Sequence, residues 1–174
     1  MSVLIFVFYR LLTALPVLRW PLPGFFIAIL GDLGDLFLLH FIGQDWSYQT
    51  LDKWFDLFYM VAFLIVVLRW PQPVKGVALA LFLFRMVGFT AFEVTHWRPI
   101  LIFFPNVFEF WFLAVILLQR WRPAYLFTMP GIVVWLALLT IAKLGQEYAL
   151  HVGKWFDGFT IMDFLGGTWR ILTP

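Results

Sequence analysis

The sequence predicts an all-α, polytopic membrane helical bundle of about six transmembrane helices (five to six), arranged as three sequential hairpins. Three observations predict it. The first is composition: of 174 residues, 63% are hydrophobic and 13% charged, with no cysteine. A soluble domain is nearer half apolar and a quarter charged. The second is length. At roughly 20 residues per span, six spans take about 120 residues, which leaves turns and a tail rather than a soluble catalytic domain or a nucleic-acid module. The third is a repeat. Residues 17–23 read Val-Leu-Arg-Trp-Pro-Leu-Pro, residues 67–73 read Val-Leu-Arg-Trp-Pro-Gln-Pro, and Gln119-Arg120-Trp121-Arg122-Pro123 is a looser third copy.

Each copy ends one apolar run and starts another. Proline stops a helix on its N-terminal side and is tolerated in the first turn of the next. Arginine and tryptophan are anchors of the membrane–water boundary. Each copy therefore marks a turn between two spans, which gives the three hairpins.

The spans are expected at 2–18, 22–42, 50–69, 73–95, 106–120 and 129–150, within a single transmembrane domain over 1–152. The first begins Met1-Ser2-Val3-Leu4-Ile5-Phe6, with no charged flank or small-residue cleavage site, and reads as a retained helix rather than a signal peptide. It is short and holds Arg10 and Pro16, so it is the span that can lie in the interface and leave five. The fifth is also short. Arg98 to Pro105 reads as its lead-in, because Asn106-Val107-Phe108-Glu109 has the form of an N-terminal capping box. Residues 153–174 mix aromatic, glycine and charged residues and are expected to lie along the membrane surface.

Tryptophan placement supports the layout. Trp20, Trp70 and Trp121 fall at the turns, and Trp46, Trp54, Trp97, Trp155 and Trp169 at the opposite side. Only Trp111 and Trp135 are left for the interior. The turns carry Arg19, Arg69, Lys75, Arg120 and Arg122 without an acid, whereas the other side mixes Lys53, Arg98, Lys154 and Arg170 with carboxylates. The positive-inside rule then places the turns in the cytoplasm and both termini outside.

Counting from the turns at about 1.5 Å per residue puts several ionisable groups deep in the bilayer. Asp35 lies 14 residues beyond Pro21, and Arg85 lies 14 beyond Pro71. Asp56 precedes Arg69 by 13 residues, Glu109 precedes Arg120 by 11, Arg10 precedes Arg19 by 9, and Lys143 follows Pro130 by 13. With Asp32 one helical turn before Asp35, the expected intramembrane network is Arg10, Arg85 and Lys143 against Asp32, Asp35, Asp56 and Glu109. Each such charge costs roughly 2.5–3.5 kcal/mol to insert, so mutual pairing is expected. Arg85 is the expected partner of Asp32 or Asp35, whose flanking Gly31 and Gly34 admit a close neighbouring helix. Lys143 and Glu147 form an i,i+4 pair. Such a network can be structural, or it can line a proton or ion route.

No complete catalytic set is present. Glu93-Val94-Thr95-His96 has the Glu-x-x-His spacing of carboxylate-bridged di-iron bundles, and Glu147 with His151 gives a second Glu/His pair. A metal site at Glu93, His96, Glu147 and His151 is the long shot, since such bundles need two Glu-x-x-His copies. No metal is expected. The carboxylate pairs Asp32/Asp35 and Asp52/Asp56 lack the arginine and asparagine cluster a diphosphate site needs, and the first lies too deep. Lys143 lacks the aspartate one turn earlier that a retinal-binding lysine has, Leu139 standing there instead. His40, His96 and His151 share one membrane side, which disfavours a buried haem. There is no Gly-rich phosphate loop, nucleophile elbow or HExxH motif. The 22 phenylalanines read mainly as lipid-facing filler.

The expected function is that of a non-catalytic subunit or accessory protein of a larger membrane complex. Its partners are the lipid bilayer and other membrane subunits or further copies of the chain, with no nucleic acid. No cofactor is identifiable, although aromatic surfaces leave room for a bound lipid or apolar cofactor. The alternatives are a small transporter or channel and, third, a metal-dependent enzyme at the outer rim.

Overall fold

The structure, a computed structural model, describes residues 2–42, 48–97 and 100–148, and the side chains of 7–32, 57–97, 100–146 and 148. Among the described residues it is all-helical, without strands. Asp35, Asp52, Asp56, His40 and Glu147 have side chains outside that set, and Arg98, His151 and the tail 153–174 lie outside the described residues.

Helix α1 (Ser2–Ala14) passes into a 3-10 turn, Leu15–Leu18. Pro16 is the reason: it has no N–H to give to the ladder, and its ring crowds the carbonyl four residues back. Its own carbonyl takes the N–H groups of Arg19 and Trp20 at 3.2 and 2.9 Å, which closes the first Arg-Trp-Pro turn. Helix α2 (Pro21–Ile42) starts directly on Pro21, the first-turn position that needs no donor. Helix α3 (Tyr48–Val67) ends where Arg69 and Trp70 donate to Val66 and Val67.

The second copy of the repeat folds differently from the first. Helix α4 begins only at Val74 and runs to Thr95. Leu22 of the first copy packs against the core. Its counterpart Gln72 is exposed and turns its Oε1 back to accept the Gly76 N–H at 3.1 Å. The two copies thus differ both at this position and in where the following helix starts. The two turns meet at one end of the bundle, where Arg69 donates to the Leu18 carbonyl at 3.4 Å. Trp70, in the second turn, is buried and stacks on Phe112 with ring centroids 5.4 Å apart.

Helix α4 stops at His96, which adopts a left-handed conformation at φ 51°. A four-residue helix α5 (Ile100–Phe103) then leads through Phe104-Pro105-Asn106 into α6 (Val107–Trp121). The lead-in segment is therefore helical, and α5 with α6 gives a stretch, Ile100–Trp121, of 22 residues. The fifth span expected at 106–120 is longer than the sequence implied. Pro105 interrupts the helix, which stops at Phe103: proline has no N–H to give, and the Leu101 carbonyl takes the Phe104 N–H at 3.2 Å instead. Helix α7 (Met129–Glu147) completes the described chain.

Helix α1 with its 3-10 turn packs on α2 and α3, α3 packs on α4, and α6 packs on α2, α3, α4 and α7. The core is an aromatic column. Phe63 of α3 lies parallel to Phe112 of α6 at 4.4 Å, with Phe25 of α2 stacked on Phe63 at 5.4 Å. Three of the phenylalanines read as filler are therefore the contact between α2, α3 and α6. Each aromatic pair adds about 0.5–1.5 kcal/mol beyond the apolar area it buries. Trp111, left for the interior by the sequence, is fully buried and donates its indole N–H to the Val74 carbonyl at 3.4 Å. Trp135 is half-buried and donates to the Tyr125 hydroxyl at 3.1 Å.

Three helical stretches are long and apolar enough to cross a membrane: Val74–Thr95, Ile100–Trp121 and Met129–Gln146. The apolar parts of the first three helices within the described residues are Val7–Leu18, Pro21–Asp32 and Leu57–Val67. Polarity is inverted relative to a soluble fold. Leu83, Val87 and Val94 of α4 and Val133, Leu138 and Ile141 of α7 are exposed, while Arg10, Glu109 and Lys143 are buried. Hydrocarbon outside and charge inside is the arrangement a bilayer imposes, because lipid offers no hydrogen-bond partner.

Candidate functional site

Two groups of buried polar side chains stand out among the described residues. The first joins α1 to α2. Arg10 is 2% exposed, and its guanidinium lies 2.6 Å from Asp32 Oδ1. This is the short, charge-assisted contact expected of arginine with a carboxylate. The helices come together here because residue 31 is glycine: a Cβ there would sit 2.7 Å from Thr13 Cβ and Oγ1. The Thr13 hydroxyl, which faces Gly31, is satisfied within its own helix by donating to the Tyr9 and Arg10 carbonyls at 3.2 and 3.1 Å.

The partner of Asp32 is thus Arg10, not the Arg85 that equal depth in the repeat suggested. Arg85, half-buried on α4, donates to the Phe104 carbonyl at 2.8 Å. Among the described residues no carboxylate lies within ion-pair distance of it. It meets the backbone where α5 gives way to α6, so a cation compensates a break in the helical ladder. Gly88, one turn along α4, lets Phe104 in: a Cβ at that position would lie 2.2 Å from Phe104 Cβ.

The second group lies just after the same break. Asn106 precedes α6 as its N-cap residue, but its side chain makes no cap hydrogen bond. The capping-box geometry expected of Asn106 and Glu109 does not form. Instead the Asn106 amide N–H₂ turns inward, 3.3 Å from both the Tyr59 hydroxyl and Glu109 Oε2. It also approaches the Met60 sulfur at 3.9 Å. Glu109 Oε2 lies 3.7 Å from Lys143 Nζ of α7. Lys143 donates to Gln146 Oε1 at 2.8 Å and stands 5.2 Å from the Phe110 ring centre. Asn106, Glu109 and Lys143 are 4%, 8% and 7% exposed. The other Asn106 amide atom, Oδ1, is buried without a hydrogen-bond partner.

Chemically the two groups differ. A guanidinium against a carboxylate at 2.6 Å is a fixed clamp. The hub around Glu109 joins a carboxylate, an ammonium, two amides and a phenol through longer contacts. Of the sequence candidates, Asp32 and Arg10 fall in the clamp, Glu109 and Lys143 in the hub, and Arg85 at the break. Tyr59 and Gln146 escaped the sequence reading, which gave Asn106 a capping role alone. An amide directly after the proline inside a 22-residue apolar stretch was the available signal for Asn106. The Glu-x-x-His geometry needs a helix through His96, whereas α4 ends at Thr95 and His96 is exposed. Among the described residues no group of three or more His, Cys, Asp or Glu side chains comes together. The chain matches no protein-family model, no curated protein and no solved structure.

Proposed function

We propose that this protein is a multi-pass integral membrane protein of six spans in three hairpins, acting as a non-catalytic subunit or accessory protein of a larger membrane complex. The Arg-Trp-Pro turns lie in the cytoplasm and both termini outside. The observation that carries the reading is the inverted polarity: broad apolar outer faces on α4 and α7 around internally compensated charges. Such faces suit acyl chains, an apolar cofactor or the helices of another subunit.

The chain has no cysteine, so topology is tested by introducing one at a time. Cysteines at Gln72, Gln119 and Ser2 are labelled with an impermeant maleimide on intact cells and on inverted vesicles. Labelling of the first two only from the cytoplasmic face, and of the third only from outside, is expected. Any pair of turns labelled from opposite faces contradicts the hairpin layout. The subunit reading is tested by mild-detergent extraction from native membranes and mass measurement. It expects a complex of fixed stoichiometry, and a monomer that alone sustains flux in vesicles contradicts it.

A second reading, a small transporter with a proton or ion route, is favoured by one specific observation. The helix break at Phe104–Asn106 brings polar side chains to mid-helix depth, and irregular backbone is tolerated inside a membrane where it is buried in protein or lines a wet cavity.

A further inference from the structure

We infer that the end of the bundle where the first two Arg-Trp-Pro turns meet is a binding site for an anionic phospholipid, its phosphate held by Arg19, Arg69 and Lys75. The inference rests on the turns lying at a membrane boundary, as proposed above. It depends neither on the subunit role nor on which side of the membrane the turns face.

Three observations carry it. The first is charge. The turn segments 15–23, 66–77 and 118–130 hold Arg19, Arg69, Lys75, Arg120 and Arg122 and no carboxylate. The four arginines are exposed and Lys75 is half-buried. Among the described residues no acid lies within ion-pair distance of any of them. The third turn shares this end of the bundle, because α6 runs antiparallel to α4: Phe108 meets Phe82, and Trp111 reaches back to Val74.

The second is geometry. Arg69 donates to the carbonyl of Leu18, the residue before Arg19, and Lys75 donates to the carbonyl of Leu68, the residue before Arg69, at 3.0 Å. Two backbone contacts thus bring three cations to one place. The first turn lies tightly on α2 because residue 24 is glycine: a Cβ there would sit 2.3 Å from the Val17 backbone N and Cα. Arg69 and Lys75 each give one N–H to these carbonyls, and the Arg19 guanidinium gives none to an acceptor among the described residues. A guanidinium has five donors and an ammonium three, so most of the donors stay open. The unesterified oxygens of a phosphate match such a set, with charge assisting each bond.

The third is the adjoining surface, which selects a lipid over a free anion. Trp20 is 60% exposed, and Leu15 and Leu68 on the same two turns are exposed as well. Cations beside an indole and aliphatic side chains fit an amphiphile: the phosphate meets the cations, the indole sits at headgroup level, and acyl chains cover the leucines.

The test is native mass spectrometry of the purified full-length chain in mild detergent and phosphate-free buffer. It is titrated with phosphatidylglycerol and with phosphatidylcholine of the same acyl chains. Tighter binding of phosphatidylglycerol is expected. Arg19→Gln, Arg69→Gln and Lys75→Gln are each expected to weaken it about fivefold, the equivalent of about 1 kcal/mol per charge, with phosphatidylcholine unaffected. Arg69→Lys, which keeps the charge, is expected to retain most of the affinity. Lys53→Gln, which removes a cation outside the turns, is expected to change neither lipid. If Arg69→Gln does not fold, Arg19→Gln gives the same reading without removing a hydrogen bond between the turns. Equal binding of the two lipids overturns the inference. A loss in Lys53→Gln as large as in Arg19→Gln overturns it too, by making the preference one of overall charge. Displacement of phosphatidylglycerol by millimolar inorganic phosphate overturns it in favour of a soluble anion. The readings above fail separately: a monomer on extraction defeats the subunit role and leaves the lipid site standing, whereas equal lipid binding with both turns labelled from one face defeats the lipid site alone.

Discussion

Arg10 and Lys143 are both buried cations facing a carboxylate on a neighbouring helix, yet they hold it in different ways. Arg10 meets Asp32 at 2.6 Å across α1 and α2, where Gly31 and Thr13 press the helices together. Lys143 stands 3.7 Å from Glu109 across α6 and α7, each with a neutral amide as its hydrogen-bond partner. The difference teaches that compensated charge in a membrane bundle is not one phenomenon. A directly bonded pair clamps two helices, whereas the Lys143–Glu109 contact is longer and shares its groups with neighbouring amides.

Breaking the clamp has the largest expected effect. Arg10→Leu leaves Asp32 without its guanidinium, and because Asp32 is a third exposed the cost is expected at about 2–3 kcal/mol, below that of a fully buried pair. Thermal unfolding in detergent, followed by helical circular dichroism, is expected to show a loss of that order. The double variant Arg10→Leu/Asp32→Leu is expected to recover part of it, since Asp32 is then no longer left without its guanidinium. Next comes the break itself. Gly88→Ala places a methyl group on Phe104 and is expected to cost about 1–3 kcal/mol through overpacking. Lys143→Met is expected to be milder than Arg10→Leu, at about 1–2 kcal/mol, because Asn106 still donates to Glu109. Smallest is Gln72→Leu, which makes the second repeat copy read like the first. It removes the cap on Gly76 and is expected to cost about 0.5–1 kcal/mol, with faster amide exchange at that residue.

Much of this difference was illegible in the sequence, for a physical reason. Counting residues from the turns gives height along a helix, whereas the burial of Arg10, Glu109 and Lys143 depends on which way each side chain faces. Height says nothing of direction. The repeat put Arg85 and Asp35 at equal depth, but which helix Asp32 faces depends on how α1 packs on α2, and that follows from Gly31 meeting Thr13. The helix break was half legible: Pro105 signalled an interruption, but not that Arg85 answers it across the bundle. The hub was least legible, because Asn106 fits a capping box equally well on spacing alone. Only the inward turn of its amide separates the two roles. Trp70 shows the same limit, since an Arg-Trp-Pro motif identical to that around exposed Trp20 leaves it stacked in the core.

The central claim is that the clamp couples its two groups more strongly than the hub does, and double-mutant cycles on the two pairs in the same nanodisc preparation test it most directly. Arg10/Asp32 and Lys143/Glu109 are each replaced singly and together by Leu/Asn and Met/Gln respectively, and stability is read from unfolding. The account predicts a coupling of about 2–3 kcal/mol for the clamp and below about 1 kcal/mol for the hub. Equal couplings, or a larger one for Lys143 and Glu109, would contradict it.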